Sequence, residues 1–323
     1  MHNNYDIIKP VLGGTFATQL SSIACQLKGR SIGYAKVLLS DAQNQMSELV
    51  ESDLYQLLPK AATTVVEQPP LDGTKVAVVI GESLRGRFDA LRLTNDEARG
   101  LSSYDQTMLL FRRYLALIEP LNLQMETHCV RTWIYVSDID NNYAGVVEAR
   151  NDVFAEHGMT AETHYIASTG IGGATDQKHA CVAIDFLTYP DICEADKHYL
   201  QALTHLNPTH EYGVAFERAT KVGQKIFISG TASIDNKGQV LFLGDVEKQT
   251  ERLQENIAAL LKAGGMTLDH VRYFIVYLRD VADYAVVNEY MKSHFPATPY
   301  VITLARVCRP TWLIEMECVA EKE

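Results

Sequence analysis

Positive charge, cofactor motifs and long apolar runs are what this chain of 323 residues has least of. Lysine and arginine number 29 against 40 aspartates and glutamates, a formal net charge of −11. So acidic a surface has no general pull on phosphate backbones, which argues against nucleic acid as the partner. No run of about 18 apolar residues is present, which excludes a transmembrane helix and a membrane partner. The start, Met1-His2-Asn3-Asn4-Tyr5-Asp6, lacks the basic-then-apolar order of a secretory leader. The six cysteines form no CxxC pair, so they read as reduced thiols in the cytoplasm rather than a disulfide frame. HExxH, zinc-ligand spacing, the P-loop and GxGxxG are all missing, so no metal or other cofactor is implied. What is there is globular: 47% of residues are hydrophobic and 21% charged. At roughly 150 residues per domain the length suggests two domains.

Hydrophobic periodicity places strands at 76–80, 130–136, 181–187, 223–229, 238–242, 271–277, 300–305 and 311–319. Helical spacing appears at 104–118, 143–154, 247–263 and 284–295, with a further apolar run at 42–58. The polar stretch 190–210 is the linker candidate, dividing an N-terminal unit, 1–195, from a C-terminal unit, 196–323. The two units overlay. Shifted by 141 residues, 130–154 meets 271–295 without a gap, and eight of the 25 positions are identical, among them Val130/Val271, Ile134/Ile275, Tyr143/Tyr284 and Phe154/Phe295. This reads as duplication of one β-β-α-β-α-β-β unit. The fold class is α+β, each unit a mixed β-sheet with two helices packed on one face. The bare face of each sheet must be covered by the other unit or by another chain, so an interface cleft is expected.

The last strand supplies the strongest chemical candidate. Side chains alternate across a strand, so Trp312, Ile314, Met316 and Cys318 share one apolar face and should lie under the helices. Glu315 and Glu317 share the opposite face, the one that must be covered. Crowding and desolvation there raise a carboxyl pKa and suit it to proton transfer. Just upstream, Arg306 and Arg309 are placed to hold a substrate carboxylate in a bidentate pair. Cys308, with no histidine near in sequence, reads as a passive thiol bordering the same cleft. A third cluster comprises Glu217-Arg218 and Ser229-Gly230-Thr231, where a strand end offers backbone N–H groups, two hydroxyls and, at Gly230, room for close approach. The glycine-rich stretch 168–173 has neither a lysine nor a helix behind it and reads as a turn, not a phosphate cradle.

Several of these pieces are familiar together: Ile228-Ser229-Gly230, Gly244-Asp245 with Gln249-Thr250, Asn256-Ile257, Asp283-Tyr284-Ala285, Phe295-Pro296-Ala297 and Ile314-Glu315-Met316-Glu317. Through them residues 214–323 resemble one unit of the YjgF/Rid superfamily, also labelled endoribonuclease L-PSP-like. Residues 60–190 are similar to a second, more diverged unit. Within the superfamily the chain looks most like the two-unit chorismatases, through Phe216-Glu217-Arg218-Ala219, Ser229 to Ile234, Gly244-Asp245 and Cys308-Arg309 before Leu313-Ile314-Glu315.

The resemblance implies tandem chorismate mutase-like units and a small carboxylated substrate. It implies Glu315 as the acid/base residue and arginines on the substrate carboxylates. It also implies a homo-oligomer, a trimer of chains, as Rid relatives are trimers with sites between subunits. Rid deaminases carry a carboxylate-gripping arginine shortly after their Phe-Pro-Ala stretch; Thr298-Pro299-Tyr300 stands there instead, which makes Tyr300 the candidate contact. The chorismatases' Gly-His stretch is replaced by Asp235-Asn236-Lys237-Gly238. The implied functions are hydrolysis of chorismate or a related enol ether, enamine or imine deamination, and a non-catalytic metabolite-binding role.

Overall fold

The computed structural model describes residues 4–82 and 86–322; residues 1–3, part of the stretch read for a leader, lie outside these, as do 83–85 and 323. Three runs of elements follow one another. The first is β1 (Tyr5–Ile8), α1 (Phe16–Leu27), β2 (Tyr34–Leu39), α2 (Ala42–Glu51), α3 (Asp53–Leu57), β3 (Thr63–Glu67) and β4 (Val76–Gly81). The second is β5 (Arg87–Leu91), α4 (Asn95–Ala98), α5 (Ser103–Ile118), α6 (Met125–His128), β6 (Cys129–Val136), α7 (Ile139–Glu156), β7 (Ala167–Gly172) and β8 (Val182–Thr188). The third is β9 (Lys197–Tyr199), β10 (Ala219–Val222), β11 (Lys225–Thr231), α8 (Val246–Ala263), β12 (Val271–Leu278), α9 (Tyr284–His294), β13 (Tyr300–Leu304) and β14 (Ile314–Glu321).

Each run makes one mixed sheet, and the strand order repeats: β1-β4-β2-β3, then β5-β8-β6-β7, then β11-β14-β12-β13, the last extended by β10 and β9. In each, the two strands after the first two long helices pair in parallel (β2 with β3, β6 with β7, β12 with β13), while the final strand runs antiparallel between its neighbours. The α+β fold class stands, and residues 1–195 carry the motif twice, with residues 5–81 as a sheet of their own. Helices cover one face of each sheet. Local sequence sets their limits: Asp245 caps α8 by accepting from the Lys248 N–H, Gly264 follows its end, and Leu253, Ile257, Leu260 and Leu261 form its buried stripe.

The face expected to need a partner is covered within the chain. Tyr34, Leu38 and Val79 of the first sheet, Trp133, Tyr135 and Ala183 of the second, and Tyr273, Ile275 and Tyr277 of the third belong to one buried cluster. Strands such as β6 are therefore buried along their whole length, which is why they read as continuous apolar runs. Among the described residues no helix is long and apolar enough to cross a membrane.

Four local readings are corrected. The expected strand at 223–229 is two strands: Gly223, at φ 57°, turns the chain between β10 and β11. The expected strand at 238–242 is reduced to a single bridge, Ile234 with Val240. The glycine-rich stretch 168–173 is largely β7, since its glycines admit close neighbours: a side chain at Gly172 would meet the Arg306 backbone at 2.7 Å. The ungapped overlay holds for the helices but slips in the strands. Ile134 pairs with Ile184 on the helix side, whereas Ile275 pairs with Glu317 on the inner face, so the strands match one residue further along, with Tyr135 over Tyr277. A one-residue slip exchanges the faces of a strand.

The inner faces also bury charge. Lys36 of β2 lies with its Nζ 3.5 Å from the Trp133 ring centroid and 3.9 Å from Asp185, and Nζ has no hydrogen-bond partner among the described residues. Burial pushes its pKa down to about 7 despite the attraction of Glu317 and Asp185. Asp185 is independently held by Arg92 at 3.0 Å and the Tyr135 hydroxyl at 3.1 Å. The unfolded lysine titrates near 10.5, so between that pH and about 7 the unfolded chain binds more protons and stability falls as pH falls. Lys36→Met is expected to stabilise the fold by about 1–4 kcal/mol at pH 7 and to flatten that slope, as measured by denaturant unfolding across pH 7–10.

Candidate active site

The seam between the second and third sheets, where β7 lies beside β11, opens into a cavity of about 550 Å³. One wall is α7 and β7: Tyr143, Glu148, Arg150, Ser168 and Gly170. The other is built by Phe216, Arg218, Gly230, Cys308, Arg309, Trp312 and Glu315. The candidates Glu315, Arg218, Gly230, Cys308 and Arg309 are thus brought together around one space. Ser229, Thr231, Glu317, Tyr300 and Arg306 stand outside its lining.

Glu315 is the second residue of β14 and points inward, 97% buried, with its Oε2 unpartnered among the described residues. Register explains its reach. β11 carries a bulge between Ile228 and Thr231, and Gly230 sits in it; a Cβ there would fall 1.8 Å from Glu315 Oε1. Burial, followed by the charge of Glu317, pushes the Glu315 carboxyl up to about 8, against the pull of Arg131 and Arg218. It is therefore a neutral acid at pH 7.

Glu317 does different work. Its Oε1 accepts from Trp133 Nε1 at 2.7 Å and its Oε2 from Arg131 Nη2 at 2.9 Å. Arg131 in turn donates to Ser229 Oγ at 3.0 Å and to Thr169 Oγ1, which also accepts the Gly230 N–H at 2.9 Å. Ser229 Oγ accepts the Ser168 N–H and donates to the Glu217 carbonyl. Together these bonds stitch β7 to β11. Thr231 donates to the Ser229 carbonyl at 2.9 Å, and the Tyr300 hydroxyl to Asn288 at 3.1 Å. Arg306 pairs with Asp140 at 2.9 Å on the surface.

Arg218 donates to the carbonyl and side chain of Asn207, with its guanidinium 5.5 Å from the Phe216 ring centroid. The guanidinium of Arg150 lies 6.0 Å from the same centroid. Desolvation, with the Glu315 charge adding to it, pushes the Cys308 thiol up to about 12, so it stays protonated and is no nucleophile at neutral pH.

Arg150 is the residue the sequence reading missed. It is 99% buried, yet its Nε and Nη2 have no hydrogen-bond partner among the described residues. The signal was present: in α7 it falls on the stripe of Val146, Val153 and Phe154, and the overlay sets it against Met291, the apolar counterpart in α9. Trp312 was also misplaced. It precedes β14, so strand alternation does not reach it, and it is among the residues that line the cavity.

Residues 206–322 match the family described as Endoribonuclease L-PSP. A RutC family protein from Pyrococcus abyssi is 37% identical over 110 residues, 33% of this chain and 87% of that one. The chain belongs to the YjgF/Rid family. A 3-aminoacrylate deaminase, RutC of Acinetobacter baylyi, is 32% identical over 105 residues, 32% of this chain and 82% of that one. Over its whole length the chain is similar in fold to a crystal structure of chorismatase, with a TM-score of 0.72, 19% identity and 98% of both chains covered. The YjgF/Rid match spans the Glu315 wall of the cavity; Arg150 and Tyr143 lie before it, in the second sheet's unit. Among the described residues no group of His, Cys, Asp and Glu is arranged to hold a metal ion.

Gly230→Ala tests the packing of this wall. The Glu315 carboxyl must move to admit the methyl, so the carboxyl is expected to titrate nearer its ordinary range in a carbon-13 NMR titration. The accompanying loss of stability is about 1–3 kcal/mol.

Proposed function

We propose that this chain is an enzyme that hydrolyses a small carboxylated metabolite, with Glu315 as the general acid. The observation that carries the reading is the pairing, in one cavity, of a buried neutral carboxyl with the buried guanidinium of Arg150, whose Nε and Nη2 have no partner among the described residues. A buried guanidinium donor left without an acceptor costs free energy that a ligand carboxylate recovers. The preferred substrate class is an enol ether of a carboxylic acid, as in chorismate. Glu315 gives its proton to the terminal methylene carbon, and the ether oxygen stabilises the resulting cation. Water adds to the cationic carbon and returns a proton to the carboxylate. The hemiketal then breaks into a keto acid, such as pyruvate, and an alcohol.

A second reading, enamine deamination, uses the same first step, protonation at carbon followed by water attack, with ammonia as the leaving group. It is favoured by the likeness to a protein named 3-aminoacrylate deaminase. The cavity draws both walls from a single chain, so we propose one site per chain, with the implied trimer arrangement reproduced by three sheets of one order. A cytoplasmic setting fits the six free cysteines.

Incubation with chorismate and with a 2-imino acid, following pyruvate or keto-acid release, tests the reading. Glu315→Gln is expected to lower turnover by roughly 10²–10⁴. Because the active form is the protonated one, turnover in the native chain should hold level below about pH 8 and fall above it. Binding without turnover on either substrate would mark a non-catalytic module instead. Arg150→Met is expected to weaken carboxylate binding roughly 10–100-fold with no loss of fold stability, read by titration calorimetry and thermal unfolding.

A further inference from the structure

We propose that Trp312 is a specificity-determining residue whose indole N–H binds a second oxygen acceptor on the ligand, at a different point from the carboxylate held by Arg150. This rests on the carboxylate reading above and adds what the rest of the ligand must carry. Trp312 is 92% buried and its Nε1 has no hydrogen-bond partner among the described residues, yet the residue lines the cavity. The Trp312 backbone N–H donates to the Arg309 carbonyl at 3.1 Å, and the Arg309 guanidinium lies 5.5 Å from the ring centroid. Buried tryptophan N–H groups normally find an acceptor, since an unmet donor is costly.

An indole nitrogen only donates, so it selects an oxygen lone pair (hydroxyl, ether or carbonyl) and rejects an ammonium group. The donor sits in the loop before β14, whereas Arg150 projects from α7 on the facing wall. The ligand therefore carries two separate polar groups, an acid for Arg150 and an oxygen for Trp312. Sites built around a donor discriminate strongly against analogues that lack the acceptor.

The chain has two tryptophans, Trp133 and Trp312. In protein labelled with nitrogen-15 at tryptophan, two indole signals result, and Trp312→Phe assigns them. The probes are benzoate and its 2-, 3- and 4-hydroxy derivatives. At least one hydroxybenzoate is expected to move the Trp312 indole proton downfield, leave that of Trp133 in place and bind about tenfold tighter than benzoate, or about 1.4 kcal/mol. Trp312→Phe should remove that advantage, so that benzoate and the hydroxybenzoate bind with affinities within about twofold of each other. An unmoved Trp312 signal, or an advantage that survives Trp312→Phe, overturns the inference while Arg150-dependent benzoate binding still upholds the carboxylate reading. Failure of all four acids to bind overturns both.

Discussion

The ion pair between Arg131 and Glu317 is the constraint on which the site depends. It joins β6 of the second sheet to β14 of the third through the buried interior, and each partner is almost fully removed from water. A buried pair of this kind contributes little net stability against an apolar substitute, but loss of either partner alone is costly. Its value here is positional. Arg131 reaches Ser229 and Thr169, and those hydroxyls fasten the backbone of β11 to that of β7. The cavity opens along that fastened seam, so the relation between its two walls is set by charge in the core and not by a mobile loop.

The same pair shapes the electrostatics of Glu315. The two carboxyls share one face of one strand, two residues apart. Glu317 has donors on both oxygens. Glu315 lies beside it in a desolvated pocket and, with its pKa pushed up to about 8, keeps its proton at pH 7. Two chemically similar groups thus meet different surroundings, one bonded to donors on both oxygens and one desolvated, and the desolvated one is fitted to serve as an acid near neutrality.

Much of this was legible in the sequence. Strand alternation alone placed Glu315 and Glu317 on the inward face, because a period of two leaves no other face for them once Ile314, Met316 and Cys318 are assigned to the helices. The helices α5, α7, α8 and α9 were readable from their apolar stripes. Other parts were not readable for physical reasons. Burial on both sides erased the alternation in β2 and β4, so the first sheet did not announce itself as a repeat. The bonds of Ser168 to Ser229 and of Gly230 to Thr169 join residues far apart in sequence through a bulge, which no local pattern encodes. Arg150 was hidden because a single arginine on an apolar helical stripe resembles a boundary residue until the facing wall is known.

The three sheets differ at one matching place. The second residue of the final strand is Ala77 in β4, Ala183 in β8 and Glu315 in β14. An assembly of identical subunits must accept every substitution at all its symmetry-related seams at once. Here the seams are encoded separately. At this position one seam is free to acquire an acid while the other two keep methyl groups. Joining the copies covalently turns a symmetric ring into a polypeptide with a division of labour.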